Sequence, residues 1–272
     1  MLHPQGRLGE PAEQLRRIPE TGPYAEAMNN LGNVLKAQGK VDEAIACLAR
    51  SLELNPRHVD AHSHLLLAMQ SRARIAPGEL AEAHAEFDRR HAAPLRAAWR
   101  SHPNAPDPQR RLRLGFVSPD LARHPVGYFL IPVLEALDRG AAELVCYSDG
   151  LRRDDLTERF QAAADRWHET SGVGDEALER QIRADQIDIL FDLAGHTTGN
   201  RLLVFARRPA PVQITWIGYP GTTGLEAMDY ILADRHEIPP GAERFYRERV
   251  LRMPDDYVCY EPPPWAPAVE PL

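Results

Sequence analysis

His124 is the residue whose type and position best suit it to chemistry. It lies between Arg123 and Pro125, in a segment that directly follows a predicted strand. An imidazole titrates near neutral pH, so a histidine at the rim of a sheet can take the proton from a reacting hydroxyl as a general base. A histidine in front of a helix can instead cap that helix or pack within the loop. The sequence leaves these roles open for His124.

Two further segments, 194–199 and 218–224, combine glycine with polar side chains. The candidate substrate-binding residues in them are His196, Thr197, Gly218, Tyr219, Pro220, Gly221 and Thr222, with Pro125 beside the candidate base. His196 could bond a hydroxyl of a ligand or cap the helix that follows. Glycine and threonine in front of a helix leave backbone N–H groups free, which favours anions such as phosphate.

These segments follow strands of a predicted parallel sheet. Strands are expected at Leu112–Val117, Glu143–Ser148, Ile187–Leu193, Val212–Ile217, Asp229–Ala233 and Arg249–Arg252. Helices are expected at Val126–Leu137, Arg153–Ala164, Asp175–Ala184 and Arg201–Ala206. This alternation is typical of a mostly parallel, doubly wound α/β sheet, whose ligands bind beyond the carboxyl ends of the strands. We therefore expect His124, His196 and Tyr219 to line one cleft at that edge.

The part of the chain before this sheet is all-α. Residues 25–56 contain two helical runs with the spacing of a tetratricopeptide repeat, in which Gly32 and Ala44 are small where the helices approach. An ordinary amphipathic hairpin is the alternative. A second unit starts at Val59, and a third helix is expected at Pro77–His91. Because about three such units are needed for stability, we expect these helices to pack against the α/β part.

Several histidines lie in this helical part: His58, His62, His64, His84 and His91. No cysteine or carboxylate spacing completes a metal site with them. We therefore place them at the surface or in the seam between helices.

Composition divides the chain into consecutive parts. We expect a disordered leader at 1–24, a repeat-type helical region at 25–100, a proline-rich linker at 101–110, an α/β lobe at 111–260 and a proline-rich tail at 261–272. The net charge of -7 argues against nucleic-acid binding. No apolar window is long enough to cross a membrane, and the spacing of the three cysteines suits reduced thiols in a cytoplasmic protein.

Motifs of several common α/β enzymes are absent from the sequence. No G-x-G-x-x-G follows the first strand, which removes the main support for dinucleotide binding. There is no G-x-S-x-G and no G-x-x-x-x-G-K-[ST], which argues against an α/β-hydrolase and a P-loop enzyme. There is also no Asp-x-Asp pair to hold a divalent metal. We expect neither a metal nor a cofactor.

Three stretches of the lobe resemble one family. They are Leu112–Gly127, with Ser-Pro-Asp and Arg-His-Pro-Val-Gly, Asp192–Arg201, with Gly-His-Thr-Thr-Gly-Asn-Arg, and Arg208–Gly224, with Arg-Pro-Ala-Pro and Gly-Tyr-Pro-Gly-Thr-Thr-Gly. These stretches resemble the bacterial relatives of O-linked N-acetylglucosamine transferase, the SPINDLY-like glycosyltransferases of family 41. In that family tetratricopeptide repeats also precede the catalytic region. The resemblance spans about residues 25–262.

The resemblance implies an inverting, metal-independent enzyme of the GT-B type, with two Rossmann-like lobes. Such an enzyme moves N-acetylglucosamine from UDP-GlcNAc to serine or threonine hydroxyls of proteins, and its repeats bind the acceptor protein. The family's proposed base corresponds to His124, and the loop that faces the sugar corresponds to Gly218–Thr222. Amides and basic residues would stabilise the leaving diphosphate.

The family also has a second lobe, in which a lysine, a histidine-containing loop and an aspartate bind UDP. No counterpart of these residues follows Tyr260, so we expect UDP-GlcNAc to bind only together with a second lobe and the isolated chain to be inactive. Two alternatives remain. One is a repeat-type interaction protein with an inert glycosyltransferase-like domain, and the other is an unrelated Rossmann-like domain that binds a small molecule.

Overall fold

The structure, a computed structural model, describes residues 24–107 and 109–262. The predicted leader and tail lie outside these ranges, apart from Tyr24, Glu261 and Pro262. The helical region consists of α1 (Tyr24–Ala37), α2 (Val41–Leu54), α3 (Val59–Gln70) and α4 (Pro77–Phe87), then a π-helical turn (Asp88–Ala92) and a 3-10 helix (Ala93–Ala98). The predicted third helix is therefore continued by a π-helical turn after Phe87. No helix in the described ranges is long and apolar enough to cross a membrane.

The hairpin of α1 and α2 has the close approach predicted from the sequence. Leu31 and Leu35 of α1 are buried against Ala44 of α2. A Cβ atom added to Gly32 would lie 2.5 Å from Cγ of Leu48, so only a glycine fits at this crossing without displacing α2.

The α/β lobe is a seven-stranded parallel sheet. Its strands are β1 (Leu112–Ser118), β2 (Ala142–Ser148), β3 (Arg166–Glu169), β4 (Ile189–Asp192), β5 (Val212–Thr215), β6 (Tyr230–Ala233) and β7 (Arg249–Arg252). Its helices are α5 (Pro125–Ala136), α6 (Asp155–Ala163), α7 (Asp175–Ala184) and α8 (Leu202–Phe205), with a 3-10 turn at Glu243–Phe245. The strand order is β3-β2-β1-β4-β5-β6-β7. The predicted doubly wound α/β fold is confirmed.

Strand β3 is the element that sequence analysis misses. It pairs in parallel with β2 at the edge of the sheet, Trp167 opposite Cys146. Its side chains are half-buried or exposed, so it has neither an apolar run nor a clean alternation. Without either pattern, a four-residue edge strand leaves no periodic signal in the sequence.

Two apolar cores cover the two faces of the sheet. On one face, Leu130 of α5 and Phe160 of α6 pack with Phe116 of β1. On the other face, α7 and α8 share a core with Leu66 of α3 and with Phe87 at the end of α4. The helical region therefore packs directly against the lobe, as the sequence predicts.

The strand order reverses between β1 and β4. The chain adds β2 and β3 on one side of β1, and then β4 returns to its other side. At such a reversal the connections leave towards opposite faces of the sheet, and a crevice opens beyond the carboxyl ends of the two strands. The loops after β1 and β4 therefore flank the expected ligand site.

Gly32→Ala tests the close approach of α1 and α2. Alanine favours a helix by about 0.5–1 kcal/mol over glycine. Overpacking of a core costs about 1–3 kcal/mol, so we expect a net loss of roughly 0–2.5 kcal/mol in the free energy of unfolding, measured with urea. Gly78→Ala in α4 is the matched control, because its added Cβ would meet nothing nearer than Phe245 at 3.9 Å. Equal stability of the two variants would contradict the close packing.

Candidate active site

The loops after β1, β4 and β5 are adjacent at the carboxyl edge of the sheet. A Cβ atom on Gly218 would lie 1.9 Å from the carbonyl oxygen of Leu193, so the loop after β5 touches the loop after β4. A Cβ atom on Gly199 would lie 3.2 Å from Cβ of Pro119, in the loop after β1. The predicted clustering of these three segments is therefore present in the structure.

Asp192 shapes the start of the loop after β4. Its carboxylate accepts hydrogen bonds from the backbone N–H groups of Ala194 (3.2 Å) and Gly195 (3.0 Å). It also accepts one from the hydroxyl of Thr215 in β5 (2.8 Å). Burial raises the pKa of Asp192 to about 6. These donors compensate the carboxylate for lost hydration and join the ends of β4 and β5.

Glu248 has the corresponding role for the loop after β5. Its buried carboxylate accepts hydrogen bonds from the Thr222 hydroxyl (2.5 Å), the Thr223 backbone N–H (2.7 Å) and the Thr223 hydroxyl. Burial raises the pKa of this carboxyl. The side chain of Thr222 is therefore directed inwards, to the residue in front of β7.

His196 is fully buried, and both of its ring nitrogens bond to protein atoms. Nε2 lies 2.9 Å from the carbonyl oxygen of Thr223, and Nδ1 lies 3.1 Å from Oγ of Ser63 in α3. Because a carbonyl only accepts, Nε2 carries the proton and Nδ1 accepts from the serine hydroxyl. Burial keeps the pKa of His196 well below its usual value. Its side chain thus neither lines an open cleft nor caps the following helix.

Tyr219 is also directed away from solvent. Its hydroxyl lies 2.7 Å from Nε2 of His84, and its ring lies 5.4 Å from that of His196, centroid to centroid. Burial raises the pKa of this phenol. The expected cleft is therefore present as an arrangement of loops, but the side chains of His196 and Tyr219 do not line it. The reason is that α3 and α4 cover both of them.

His124 is the exposed histidine of these loops, with 45% of its side chain accessible. Its Nδ1 accepts a long hydrogen bond from the backbone N–H of Val126 (3.4 Å), so it caps α5, whose first residue is Pro125. Oδ2 of Asp120 lies 3.6 Å from the same nitrogen. Within the described residues Nε2 forms no hydrogen bond. While Nδ1 accepts the cap bond, Nε2 carries the proton of the neutral ring and can donate to a ligand; Nε2 is the basic nitrogen only in the other tautomer, whose Nδ1–H faces Asp120.

The other predicted residues divide by exposure. Pro125 and Pro220 are exposed, whereas Gly218 and Thr197 are half-buried. Gly221 is buried, because a Cβ atom on it would lie 1.9 Å from Nε2 of Gln70 in α3.

Arg201 is a contributor to this edge that sequence reasoning does not single out. Its guanidinium pairs with Asp149 after β2 (2.6 Å) and Asp175 of α7 (2.9 Å), and it donates to the carbonyl of Thr170 after β3 (3.1 Å). It therefore joins loops from three strands. The sequence feature that could have identified Arg201 is its position at the end of the Gly-His-Thr-Thr-Gly-Asn-Arg motif.

Within the described residues no group of three or more His, Cys, Asp or Glu side chains is arranged to hold a metal ion.

Four histidines line the contact between the helical region and the lobe, and we call them the interface histidines: His62, His84, His91 and His196. Nδ1 of His62 lies 3.0 Å from Nε2 of His91. Burial lowers the pKa of His62 to about 3 and those of His84 and His91 to about 4. His62 and His91 have two charged neighbours. Arg90 also lowers the pKa values of these two histidines, whereas Glu86 raises them. The interface histidines are therefore neutral at pH 7. The sequence places His62, His84 and His91 at the surface or in the seam between helices, whereas the structure buries them with His196 at the contact with the lobe.

Acidification will therefore destabilise the fold. Between pH 6.5, where an unfolded histidine titrates, and about 4, where folded His84 does, the unfolded chain binds more protons. The contribution of the neutral histidines to the free energy of unfolding is complete above pH 6.5, and it decreases as the pH falls from 6.5 to about 4. For His84 alone the loss at pH 5 is about 2 kcal/mol in the free energy of unfolding, measurable with urea at several pH values.

Two variants control this measurement. His84→Gln should make the dependence on pH shallower, because one buried titrating group is removed. His58→Gln is the control for a histidine substitution outside the interface histidines. A stability that stays constant from pH 6.5 to 5 would contradict the neutral interface.

Comparison with known proteins identifies the family. Residues 42–261 match glycosyl transferase family 41, and residues 25–58 match the tetratricopeptide repeat. The chain is 37% identical over 224 residues to the probable UDP-N-acetylglucosamine–peptide N-acetylglucosaminyltransferase SPINDLY of Petunia hybrida, covering 81% of this chain and 24% of that protein. It is 32% identical over 209 residues to the UDP-N-acetylglucosamine–peptide N-acetylglucosaminyltransferase of Caenorhabditis elegans, covering 73% of this chain and 18% of that protein.

A solved structure agrees with this result. A mutant of Thermobaculum terrenum O-GlcNAc transferase is similar with a TM-score of 0.90 at 45% identity, covering 97% of this chain and 52% of that one. This chain thus spans about a quarter of the length of the plant relative and about half of the solved enzyme. The predicted resemblance is confirmed: the chain belongs to glycosyl transferase family 41, with a tetratricopeptide repeat in front of the first Rossmann-like lobe of an O-GlcNAc transferase-like catalytic region.

Proposed function

We propose that this chain supplies the first lobe of a transferase that moves N-acetylglucosamine from UDP-GlcNAc to serine or threonine hydroxyls of proteins. The observation that carries the proposal is the position of His124. It is exposed beside the reversal of strand order, with Nε2 free, in a chain of family 41.

The chemistry assigned to His124 is general-base catalysis. For this step the neutral ring carries its proton on Nδ1, which faces the Asp120 carboxylate, in place of the long cap bond from Val126. Nε2 then takes the proton from the acceptor hydroxyl while the hydroxyl oxygen bonds to the anomeric carbon of the sugar and the bond to UDP breaks. The Asp120 carboxylate, 3.6 Å from Nδ1, attracts the positive charge that the ring gains. Inversion at the anomeric carbon and independence of a metal or other cofactor remain predictions from the family resemblance.

The remaining candidate residues have two roles in this proposal. Pro125, Thr197, Gly218 and Pro220 are accessible enough to contact the substrates directly. His196, Tyr219, Gly221 and Thr222 are buried, and they act by holding the backbone of the two loops in place.

We assign binding of the donor diphosphate to this lobe acting together with a second lobe. The arginines of this edge are neutralised by neighbouring carboxylates: Arg123 by Asp155 and Arg201 by Asp149. The lysines of the whole sequence, Lys36 and Lys40, lie in the helical region. Stabilisation of the leaving charge is usually the largest catalytic contribution, so we propose that these residues alone bind UDP-GlcNAc weakly and do not transfer sugar.

The parts of the chain receive the following roles. We propose that the helical region 25–100 binds the protein acceptor and that the segment 101–110 links it to the catalytic lobe at 111–260. A cytoplasmic location is supported by the three cysteines in the described residues, none of which forms a disulfide. Cys259 is exposed, in contrast to the buried Cys146.

The decisive experiment uses a chimera in which residues 24–262 replace the matching part of the Thermobaculum terrenum enzyme. Transfer of labelled sugar to a peptide library is measured for the chimera and for residues 1–272 alone. We expect transfer by the chimera and none by the isolated chain. His124→Asn should lower kcat of the chimera by about 100-fold or more, the usual contribution of a general base.

Asparagine is chosen because it preserves a helix cap while removing the base. His58→Asn is the matched control: His58 caps α3 with its Nδ1, as His124 caps α5, and it lies in the helical region. Transfer by the isolated chain would overturn the proposal on donor binding. A folded chimera without transfer would favour the alternative, an interaction protein with an inert lobe.

A further inference from the structure

The loop 218–224, proposed to face the sugar, is covered from behind by the helical region. A Cβ atom on Gly224 would lie 2.4 Å from the carbonyl oxygen of His84, and one on Gly221 would lie 1.9 Å from the Gln70 side chain. The loop therefore has no free space between itself and α3 and α4. Any movement of these helices must displace it.

One hydrogen-bonded chain connects α4 to this loop. Nδ1 of His84 lies 2.6 Å from the carbonyl oxygen of Leu80, one turn earlier in the helix. Because that carbonyl only accepts, Nδ1 carries the proton of the neutral ring, and Nε2 accepts from the Tyr219 hydroxyl at 2.7 Å. His84 is fully buried, so its Nε2 has no water to replace the tyrosine.

The packing of the rings restricts Tyr219 further. Its ring lies 5.8 Å from that of His84 and 5.4 Å from that of His196, centroid to centroid. A Cβ atom on Gly195 would lie 2.3 Å from Cβ of Tyr219. The position of Tyr219 is therefore determined by α4 on one side and by the loop after β4 on the other.

We propose that His84 is a positioning residue of the candidate active site: through its hydrogen bond to Tyr219 it fixes the backbone of Gly218 and Pro220, the accessible part of the loop. This inference rests on the proposed function for its catalytic meaning. The helical region then acts as a structural part of the site, in addition to binding an acceptor. His84 itself touches no substrate.

The test is carried out on residues 1–272 and needs neither donor nor acceptor. Hydrogen exchange followed by mass spectrometry compares the segment 218–224 with strand β2 as the internal reference. His84→Ala should raise exchange in 218–224 by about tenfold, the effect of losing one buried hydrogen bond, and leave β2 unchanged. His84→Gln, whose side-chain oxygen can accept from the tyrosine, should restore slow exchange.

Two further measurements separate positioning from general stabilisation. Nitrogen NMR of wild-type His84 should show a neutral ring protonated at Nδ1, and Tyr219→Phe should change that signal. If His84→Ala does not fold, Tyr219→Phe takes its place in the exchange measurement. His58→Gln is the control, since it alters a histidine of the helical region whose ring bonds to Glu26 and to the Ala61 backbone N–H, at the far end of α3 from Gln70.

Equal exchange in 218–224 for the wild type and His84→Ala, or a ring protonated at Nε2, would overturn the proposal. An increase that appears equally in β2 would also overturn it, because the effect would then be global. A failure of sugar transfer by the chimera leaves these readouts unaffected, so the two proposals can fail separately.

Discussion

The burial of uncharged histidines between the helical region and the sheet is the constraint on which the other features depend. Phe87 lies at the centre of this contact, with its ring 4.6 Å from that of His196 and 5.2 Å from that of His62. An imidazole can be buried at acceptable cost only while it is neutral and its nitrogens are hydrogen-bonded. The partners come from both parts of the molecule, Ser63 for His196 and Tyr219 for His84. The contact therefore joins two regions that could otherwise move independently.

The same principle governs the loops at the carboxyl edge. Asp192 and Glu248 are buried carboxylates that accept from hydroxyl and backbone N–H donors: for Asp192 from the loop after β4 and from Thr215 of β5, for Glu248 from the loop after β5. Since an unpaired buried carboxylate is very costly, these donors must remain in place, and the loop backbone follows them. Most polar side chains of the two glycine-rich loops thus stabilise the conformation of the loops. What these loops offer to a ligand is mainly backbone, the exposed Thr198 and Pro220, and the half-buried Thr197.

His124 shows how one side chain can serve as a helix cap in one tautomer and as a base in the other. Its Nδ1 accepts from Val126 at the start of α5, and this bond orients the ring at the strand-order reversal. Nε2 forms no hydrogen bond within the described residues, so a change of tautomer that moves the ring proton to Nδ1, facing Asp120, converts the cap into a base. The rigid element that carries the ring is α5, which is anchored by Leu130 and Leu134 in the core.

Sequence periodicity was sufficient for the helical hairpin and for the alternation of strands and helices that indicates a parallel sheet, and the adjacency of the three loops follows because parallel strands share one carboxyl edge. Strand β3 was not predicted, because its half-exposed edge position produces no such pattern. The orientation of His196 and Tyr219 was decided only by the tertiary structure. Their partners, Ser63 and His84, lie more than 130 positions earlier in the chain. A local pattern shows that a residue belongs to a loop at the sheet edge, but it carries no information about which distant helix will cover that loop and bind its side chains.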